Sequence, residues 1–316
     1  MKRALLFPGQ GAQTIGMGKG LSETYPAAKA VFEEVDDALS APLSKLIWSG
    51  EIEELTLTQN TQPALMATSL AAMRALEVEG VSIGNAQYVA GHSLGEYSAL
   101  AAAQAISISE AARLLQRRGL AMQEAVSVGR GAMAALLGLD YEAVVAVASE
   151  AAEGQICQVA NDNDPGQVVV SGDREAVERA VEMAKSCGAK RAIMLPVSAP
   201  FHCELMAPAA EVMAAALAEA EISTPVVPVI SNVLAQPVSK PDQIRQLLVA
   251  QVTGMVRWRE SVSWLSAQNV AEVWELGAGK ALCGMVRRID RTITCRAVVV
   301  PDDVITVAES LKDSQV

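Results

Sequence analysis

Apolar and polar positions alternate between two rhythms along this chain. Residues 4–7, Ala-Leu-Leu-Phe, make a short unbroken apolar run that stops at Pro8-Gly9-Gln10-Gly11. Such a run predicts a buried strand ended by turn chemistry. Helical periodicity follows over residues 24–40 and 63–79. Residues 88–90, Tyr-Val-Ala, predict a second strand, which feeds Gly91-His92-Ser93-Leu94-Gly95 and then a helix to about Gln104. Strands that alternate with helices predict a parallel sheet covered by helices, an α/β architecture.

Residues 131–197 keep a rhythm of their own. Strand patterns at 133–139 and 155–160 flank a helix pattern at 141–153, and the second strand is expected to end in the turn cluster Asn161-Asp162-Asn163-Asp164-Pro165-Gly166. A strand at 167–170, a helix at 174–187 with Gly188 as its cap, and a last strand at 191–197 follow. The order β-α-β-β-α-β is that of a ferredoxin-like unit. It predicts a small domain, residues 128–197, inserted into a large one made of residues 1–127 and 198–316. The last residues, 313–316, are expected to fray.

A further helix is predicted over 109–123, with Ser107 as its cap and Glu110 three residues on, as in a capping box. Its apolar stripe is Ala111, Leu114, Leu115 and Met122, and Arg118 falls in the middle of that stripe, while Arg113 and Arg117 lie on the other side. An inward guanidinium stays charged and demands an anion. Either a structural salt bridge or a substrate carboxylate held bidentately satisfies it.

Composition narrows the class. Of 316 residues 51% are hydrophobic but only 3% aromatic, so Ala, Val, Leu, Ile and Met must build the core. The net charge of −11 argues against a broad nucleic-acid or anionic-membrane face. Cysteines at 157, 187, 203, 283 and 295 are odd in number and widely spaced, with no CxxC, which argues against a disulfide framework and a zinc site. A reducing cytoplasm is the expected compartment. The N-terminal apolar run is too short for a signal peptide, and the Ala-rich stretch at 99–108 is too short to span a bilayer.

Gly91-x-Ser93-x-Gly95 between a strand and a helix fits the nucleophile elbow. The glycines let the turn close, the turn lifts the hydroxyl into the open, and free amides at the helix start can stabilise an oxyanion. The alternative is an ordinary Gly-rich turn. A serine nucleophile needs a base, and the chain has two histidines. His92 adjoins Ser93 in the elbow, so its ring is expected to project away from the hydroxyl. His202, after Pro200-Phe201 where a strand is expected to end, is then the candidate base, against the alternative of a structural histidine. Cys203 is a rival nucleophile without a second histidine to activate it.

Phe7-Pro8-Gly9-Gln10-Gly11-Ala12-Gln13, Thr61-Gln62-Pro63-Ala64-Leu65, Gly91-His92-Ser93-Leu94-Gly95-Glu96-Tyr97-Ser98-Ala99, residues 161–171, and Ser198-Ala199-Pro200-Phe201-His202 occur in one order. In combination they resemble the malonyl-CoA:acyl-carrier-protein transacylases of bacterial fatty-acid synthesis, nearly to the end of the chain at Glu275-Leu276-Gly277-Ala278-Gly279-Lys280. Where the family often has Gly-Pro-Gly, this chain has Gly277-Ala278-Gly279. The resemblance implies an α/β-hydrolase-like large domain with an inserted ferredoxin-like small domain. It implies an acyl ester on Ser93, His202 as base, and the main-chain carbonyl of Gln251 in place of the acid of a triad. It assigns an oxyanion hole to the amides of Gln10 and Leu94. It makes Arg118, Gln62 and Phe201 substrate-binding, with Arg118 on the malonyl carboxylate and Phe201 matching a residue associated with malonyl rather than methylmalonyl units.

The resemblance further implies malonyl-CoA as substrate, acyl carrier protein as partner, no cofactor, no metal, and a cytoplasmic monomer. The carrier protein is acidic, so docking needs a basic spot: Lys185, Lys190 and Arg191, or Arg287 and Arg288, are candidates. The rival readings are a serine hydrolase or thioesterase, a dinucleotide binder, and a catalytically silent synthase scaffold. The dinucleotide fingerprint fails because Thr14 stands at its third glycine. Gly18-Lys19 likewise lacks the Ser or Thr that follows in a Walker loop.

Overall fold

A computed structural model of the chain describes residues 1–313, and the expectation for the residues beyond them lies outside that range. The strands are β1 (Lys2–Phe7), β2 (Tyr88–Gly91), β3 (Gly131–Leu137), β4 (Cys157–Asp164), β5 (Gln167–Asp173), β6 (Arg191–Met194), β7 (Val229–Ile230), β8 (Pro237–Val238), β9 (Val270–Leu276) and β10 (Thr294–Val298). They form a 6-stranded sheet in the order β10-β9-β1-β2-β7-β8 and a 4-stranded sheet in the order β4-β5-β3-β6. In the larger sheet every pair is parallel except β7 with β8. In the smaller sheet every pair is antiparallel.

The period-2 alternation of a strand explains how β1 anchors the molecule. Leu5 and Phe7 enter the main apolar core, while Ala4 and Leu6 enter a second core on the opposite face with Trp258, Val262 and Val286. A strand buried on both faces reads as an unbroken apolar run, as residues 4–7 do. In the smaller sheet Ala134, Leu136, Val168 and Val170 meet Val144 and Val177 of the helices Tyr141–Ala152 and Arg174–Ser186 in a third core. Met133, Ala135 and Val169 point the other way, into the main core. Both sheets therefore share one apolar interior.

Strand β4 corrects the expected turn at 161–164. It runs through to Asp164, leaving only Pro165 and Gly166 to turn. The polar run is extended because three of its buried side chains find partners on other segments. Asp162 pairs with Arg259 at 2.7 Å and Asp164 with Arg288 at 2.8 Å. Asn163 bonds the His92 ring at 2.8 Å. Main-chain bonds from Asp162 N to Val256 O and from Val256 N to Ala160 O join β4 to the segment before the helix Trp258–Ala267. Strand β6 also ends earlier than expected, at Met194, so His202 sits in a turn well past it rather than at a strand end.

The cysteine reading needs a correction. Cys283 and Cys295 form a disulfide. The helix Ala281–Ile289 lies beside β10, which brings the two Cα atoms to 5.4 Å although twelve residues separate them in sequence. Cys157, Cys187 and Cys203 are free thiols. Among the described residues no helix is long and apolar enough to cross a membrane.

Candidate active site

Strands β1, β2 and β7 are neighbours, and their C-terminal ends deliver Gln10, Ser93 and Asn232 to one edge of the sheet. Ligands of open α/β sheets bind in the crevice beyond such ends. Phe7 is in register with Gly91, so the loop after β1 lies directly against the turn after β2. His92 N donates to Phe7 O at 3.0 Å, and a Cβ on Gly9 would meet His92 O at 2.7 Å.

The elbow is as tight as its glycines suggest. A Cβ on Gly91 would stand 1.8 Å from Gly95 O, and one on Gly95 would stand 2.2 Å from Phe7 O. Between them Ser93 takes φ 54°, in the left-handed region that non-glycine residues avoid. Two side chains from elsewhere hold that peptide. Ser93 N donates to Asn232 Oδ1 at 2.7 Å, and Gln251 Nε2 donates to Ser93 O at 3.0 Å.

The hydroxyl meets His202. Ser93 Oγ lies 2.8 Å from His202 Nε2. His202 Nδ1 donates to the main-chain oxygens of Gln251 at 2.9 Å and Gly254 at 3.1 Å. Both are carbonyl acceptors, so the proton belongs on Nδ1 and Nε2 is left to accept from the serine. Burial, and then the Arg118 cation, push the imidazole down to about 3, so the ring is neutral at ordinary pH and Nε2 carries no proton. Among the described residues no carboxylate bonds this imidazole; the carbonyl of Gln251 stands in that position.

His92 does not compete for the hydroxyl. Its ring turns to Asn163 on β4, and burial lowers its pKa. Cys203 is buried, its thiol donates to Pro200 O at 3.1 Å, and burial raises its pKa, as in an inert structural thiol.

The helix Ile108–Glu124 starts as expected, with Ser107 Oγ accepting from Glu110 N. Arg118 is 1% exposed. Its partners bear on the two open readings of that cation. Nη1 donates to Gln62 Oε1 at 2.8 Å, and Nη2 donates to Gln251 Oε1 at 2.9 Å and to Ser93 Oγ at 3.2 Å. All are neutral oxygens, so among the described residues the guanidinium forms no salt bridge. Nε has no acceptor among the described residues. A buried cation whose described hydrogen-bond partners are all neutral, beside a serine hydroxyl, has the chemistry to pair with the anionic end of a ligand.

The remaining expected residues fall into two groups. Gln62 is buried and oriented by Arg118 and by Met122 Sδ at 3.8 Å. The main-chain N–H groups of Gln10 and Leu94 have no protein acceptor among the described residues, which leaves both free to donate. Phe201 precedes His202 but is packed into the main core. A cleft of about 750 Å³ opens from His202 between the smaller sheet with its helix Tyr141–Ala152 and the segment ending the helix Pro241–Thr253, with Tyr141, Gln158, Glu204 and Met255 on its walls. Asn232, Gly254 and Glu96 belong to the site but carry no signal in a single sequence, except that Glu96 lies within the elbow motif.

The sequence and fold have clear relatives. Residues 4–278 match the acyl transferase domain family. The chain is 47% identical to the malonyl CoA-acyl carrier protein transacylase of Bacillus subtilis (strain 168), over 99% of this chain and 98% of that one. The crystal structure of the acyl-carrier-protein-S-malonyltransferase from Bartonella henselae superposes with a TM-score of 0.97 at 52% identity, covering 99% of this chain and 100% of that one. A type II PKS acyl-carrier protein in complex with its malonyl-transacylase gives 0.95 at 42% identity, over 98% of this chain and 100% of the other. With identity and fold agreeing along almost the whole chain, the protein belongs to the malonyl CoA-acyl carrier protein transacylase family, within the acyl transferases.

Proposed function

We propose that this enzyme transfers the malonyl group of malonyl-CoA to the phosphopantetheine thiol of an acyl carrier protein, through an ester on Ser93, in fatty-acid biosynthesis. One observation carries the assignment of residues: Ser93 Oγ is held at once by His202 Nε2 at 2.8 Å and Arg118 Nη2 at 3.2 Å. The first contact makes an alkoxide available, and the second sets a cation beside the acyl group that will form there.

In the first half-reaction His202 Nε2 takes the Ser93 proton as Oγ bonds to the thioester carbon. The amides of Gln10 and Leu94 hold the oxyanion. The carbon–sulfur bond breaks, the sulfur takes the proton from His202, and CoA leaves as its thiol. In the second half-reaction His202 takes the proton of the carrier-protein thiol, whose sulfur bonds to the ester carbon. Oγ leaves and recovers the proton. Imidazolium forms transiently in each half, and the Gln251 and Gly254 carbonyls stabilise it through Nδ1–H. Arg118 pairs with the distal carboxylate, Gln62 and Gln251 keep the guanidinium in place, and Phe201 shapes the wall behind His202. The reaction needs no cofactor or metal, since every proton and charge is handled by these side chains.

The same reading extends to architecture and setting. The larger sheet with its elbow serves as an α/β-hydrolase-like domain of residues 1–127 and 198–316, and residues 128–197 as a ferredoxin-like insertion. Support comes from the β-α-β-β-α-β order and from the sheet order β4-β5-β3-β6. The protein works as a cytoplasmic monomer.

Mixing the enzyme with malonyl-CoA and measuring intact mass tests the assignment. One malonyl adduct is expected, mapped to Ser93 and discharged by phosphopantetheinylated carrier protein. An adduct on another residue, or release of free malonate at the transfer rate without any thiol acceptor, defeats it.

A further inference from the structure

Glu96 is a carboxyl group with no assigned task in this site, buried to 3% exposure one helical turn beyond the nucleophile. A single oxygen of it, Oε2, accepts from Gln251 Nε2 at 2.7 Å and from Asn232 N at 3.1 Å. Those two residues are the ones that hold the Ser93 peptide. Asn232 Oδ1 accepts from Ser93 N, and Asn232 Nδ2 donates to Gly91 O at 2.7 Å, on the strand side of the turn. Gln251 Nε2 donates to Ser93 O, on the helix side.

We propose that Glu96 is the positioning residue that keeps Ser93 in its left-handed conformation, by joining through one oxygen the main chain of Asn232 and the side chain of Gln251, the two residues whose side chains bind the N–H and the C=O of Ser93.

Three features support this assignment. A non-glycine residue at φ 54° persists only when its surroundings over-determine it. The two supports come from segments far apart in sequence, the end of β7 and the helix Pro241–Thr253, so something must fix them relative to each other. The Gln251 amide also has only one workable orientation. Its oxygen faces Arg118, which can only donate, so its nitrogen must face two acceptors, Ser93 O and Glu96 Oε2. An acceptor at 96 thereby fixes how the amide meets Arg118 as well as how it meets Ser93. The role is that of an acceptor rather than of a charge, because the group that Glu96 meets directly on each side is a neutral N–H.

The inference rests on Ser93 being the nucleophile, and the test separates the two claims. The burst of p-nitrophenol from p-nitrophenyl acetate reads acylation of Ser93 by His202 without using a distal carboxylate. In wild type a burst is expected; its absence would remove the nucleophile reading itself. Glu96→Ala and Glu96→Met, the second filling the same volume without an acceptor, are expected to lower the burst rate constant at least about tenfold, on the scale of misplaced reacting groups. Glu96→Gln keeps an acceptor and is expected to stay within about threefold of wild type, since only the charge is removed. A role confined to stability would leave the burst constant of the folded fraction unchanged in all three variants. Apolar variants that fold and burst within twofold of wild type overturn the proposal. So does a Glu96→Gln protein that falls more than tenfold, and that variant decides the matter alone if neither apolar variant folds.

Discussion

Ser93 and His202 meet at 2.8 Å with both backbones left-handed, φ 54° at the serine and φ 60° at the histidine. Neither residue is a glycine, so each position costs about 1–3 kcal/mol of local strain. Hydrogen bonds to main-chain atoms hold the geometry at both ends, through Asn232 and Gln251 at the serine and through the Gln251 and Gly254 carbonyls at the imidazole.

The electrostatics of this pair set the acid limb of activity. Burial and the Arg118 cation hold His202 at about 3, against an ordinary value of 6.5. The base form therefore persists as pH falls through 6.5, and kcat/KM should not begin to fall there but well below, since kcat/KM reports the free enzyme. Removing a neighbouring cation raises an imidazole pKa. Arg118→Ala should thus move the acid limb of p-nitrophenyl acetate acylation upward, toward 6.5, while wild type keeps the lower limb. A pH–rate series on both proteins checks the sign, and a downward or absent shift contradicts it.

The elbow glycines predict a stability effect that has nothing to do with chemistry. In Gly91→Ala the new methyl would sit 1.8 Å from Gly95 O and 2.4 Å from Glu96 N, both main-chain atoms that no rotamer change can move. The turn must open, at a cost of about 3 kcal/mol or more. Thermal unfolding should show a midpoint lower by roughly 5 °C or more for a chain of this size. Gly129→Ala, whose added methyl would meet no atom within 4 Å, is the control: its φ of +87° should cost only about 1 kcal/mol.

What the sequence disclosed follows from which interactions are local. The elbow, the β1 run, the cap at Ser107 and the inward Arg118 are local, because strand period, helix period and turn residues dictate them. The small sheet was legible for the same reason, except at Asn161 to Asp164. There local propensity says turn, and partners on other segments, Arg259, Arg288 and His92, impose a strand. Asn232 and Gly254 were invisible because their roles arise only when β7 and the helix Pro241–Thr253 close over the elbow. The Cys283–Cys295 bridge was missed because a spacing of twelve says nothing until a helix folds back beside β10.

Selectivity should reside in one guanidinium. Arg118 is buried and bonds only neutral oxygens, so a substrate ending in a methyl group leaves its charge uncompensated. Arg118→Ala should lower kcat/KM for malonyl-CoA by about a hundredfold or more, while acetyl-CoA, expected to be the poorer substrate of wild type, should be little changed or improve. Arg118→Lys keeps the charge but cannot bridge Gln62, Gln251 and Ser93 from one planar fork, so it should recover only part of the loss. Parallel assays of both thioesters read the ratio, and a malonyl preference that survives in Arg118→Ala places selectivity elsewhere.

The join between β4 and the helix Trp258–Ala267 should depend on charge at Asp162. Its carboxylate side chain is 1% exposed, while Arg259, its partner at 2.7 Å, is 33% exposed. Removing the arginine leaves a buried anion without a partner. Arg259→Ala should therefore destabilise by about 2–3 kcal/mol, discounted from the fully buried case because water reaches the guanidinium. Asp162→Asn removes the charge and keeps an acceptor, so it should cost less. Urea unfolding of both variants gives the comparison, and equal losses would mean that the pair acts by packing rather than by charge.

Glu96 makes stability depend on pH in a direction opposite to that of a salt-bridged carboxylate. Burial pushes it up to about 7 from an ordinary 4.5, against the downward pull of its bonds to Gln251 and Asn232 and of the Arg118 cation. A raised carboxyl pKa means that the native state binds the proton more tightly than the unfolded chain. Its favourable contribution is therefore complete below about 4.5 and is lost as pH rises through about 7. Glu96→Gln cannot ionise, so the difference in unfolding free energy between Glu96→Gln and wild type should shift in favour of the variant between pH 5 and pH 8. The shift should reach about 3 kcal/mol if the full difference in pKa is expressed. Urea unfolding of both proteins across that range measures it. A difference that stays flat with pH would mean that Glu96 is already ionised at pH 5 in the folded protein, with its neighbouring donors and Arg118 outweighing burial.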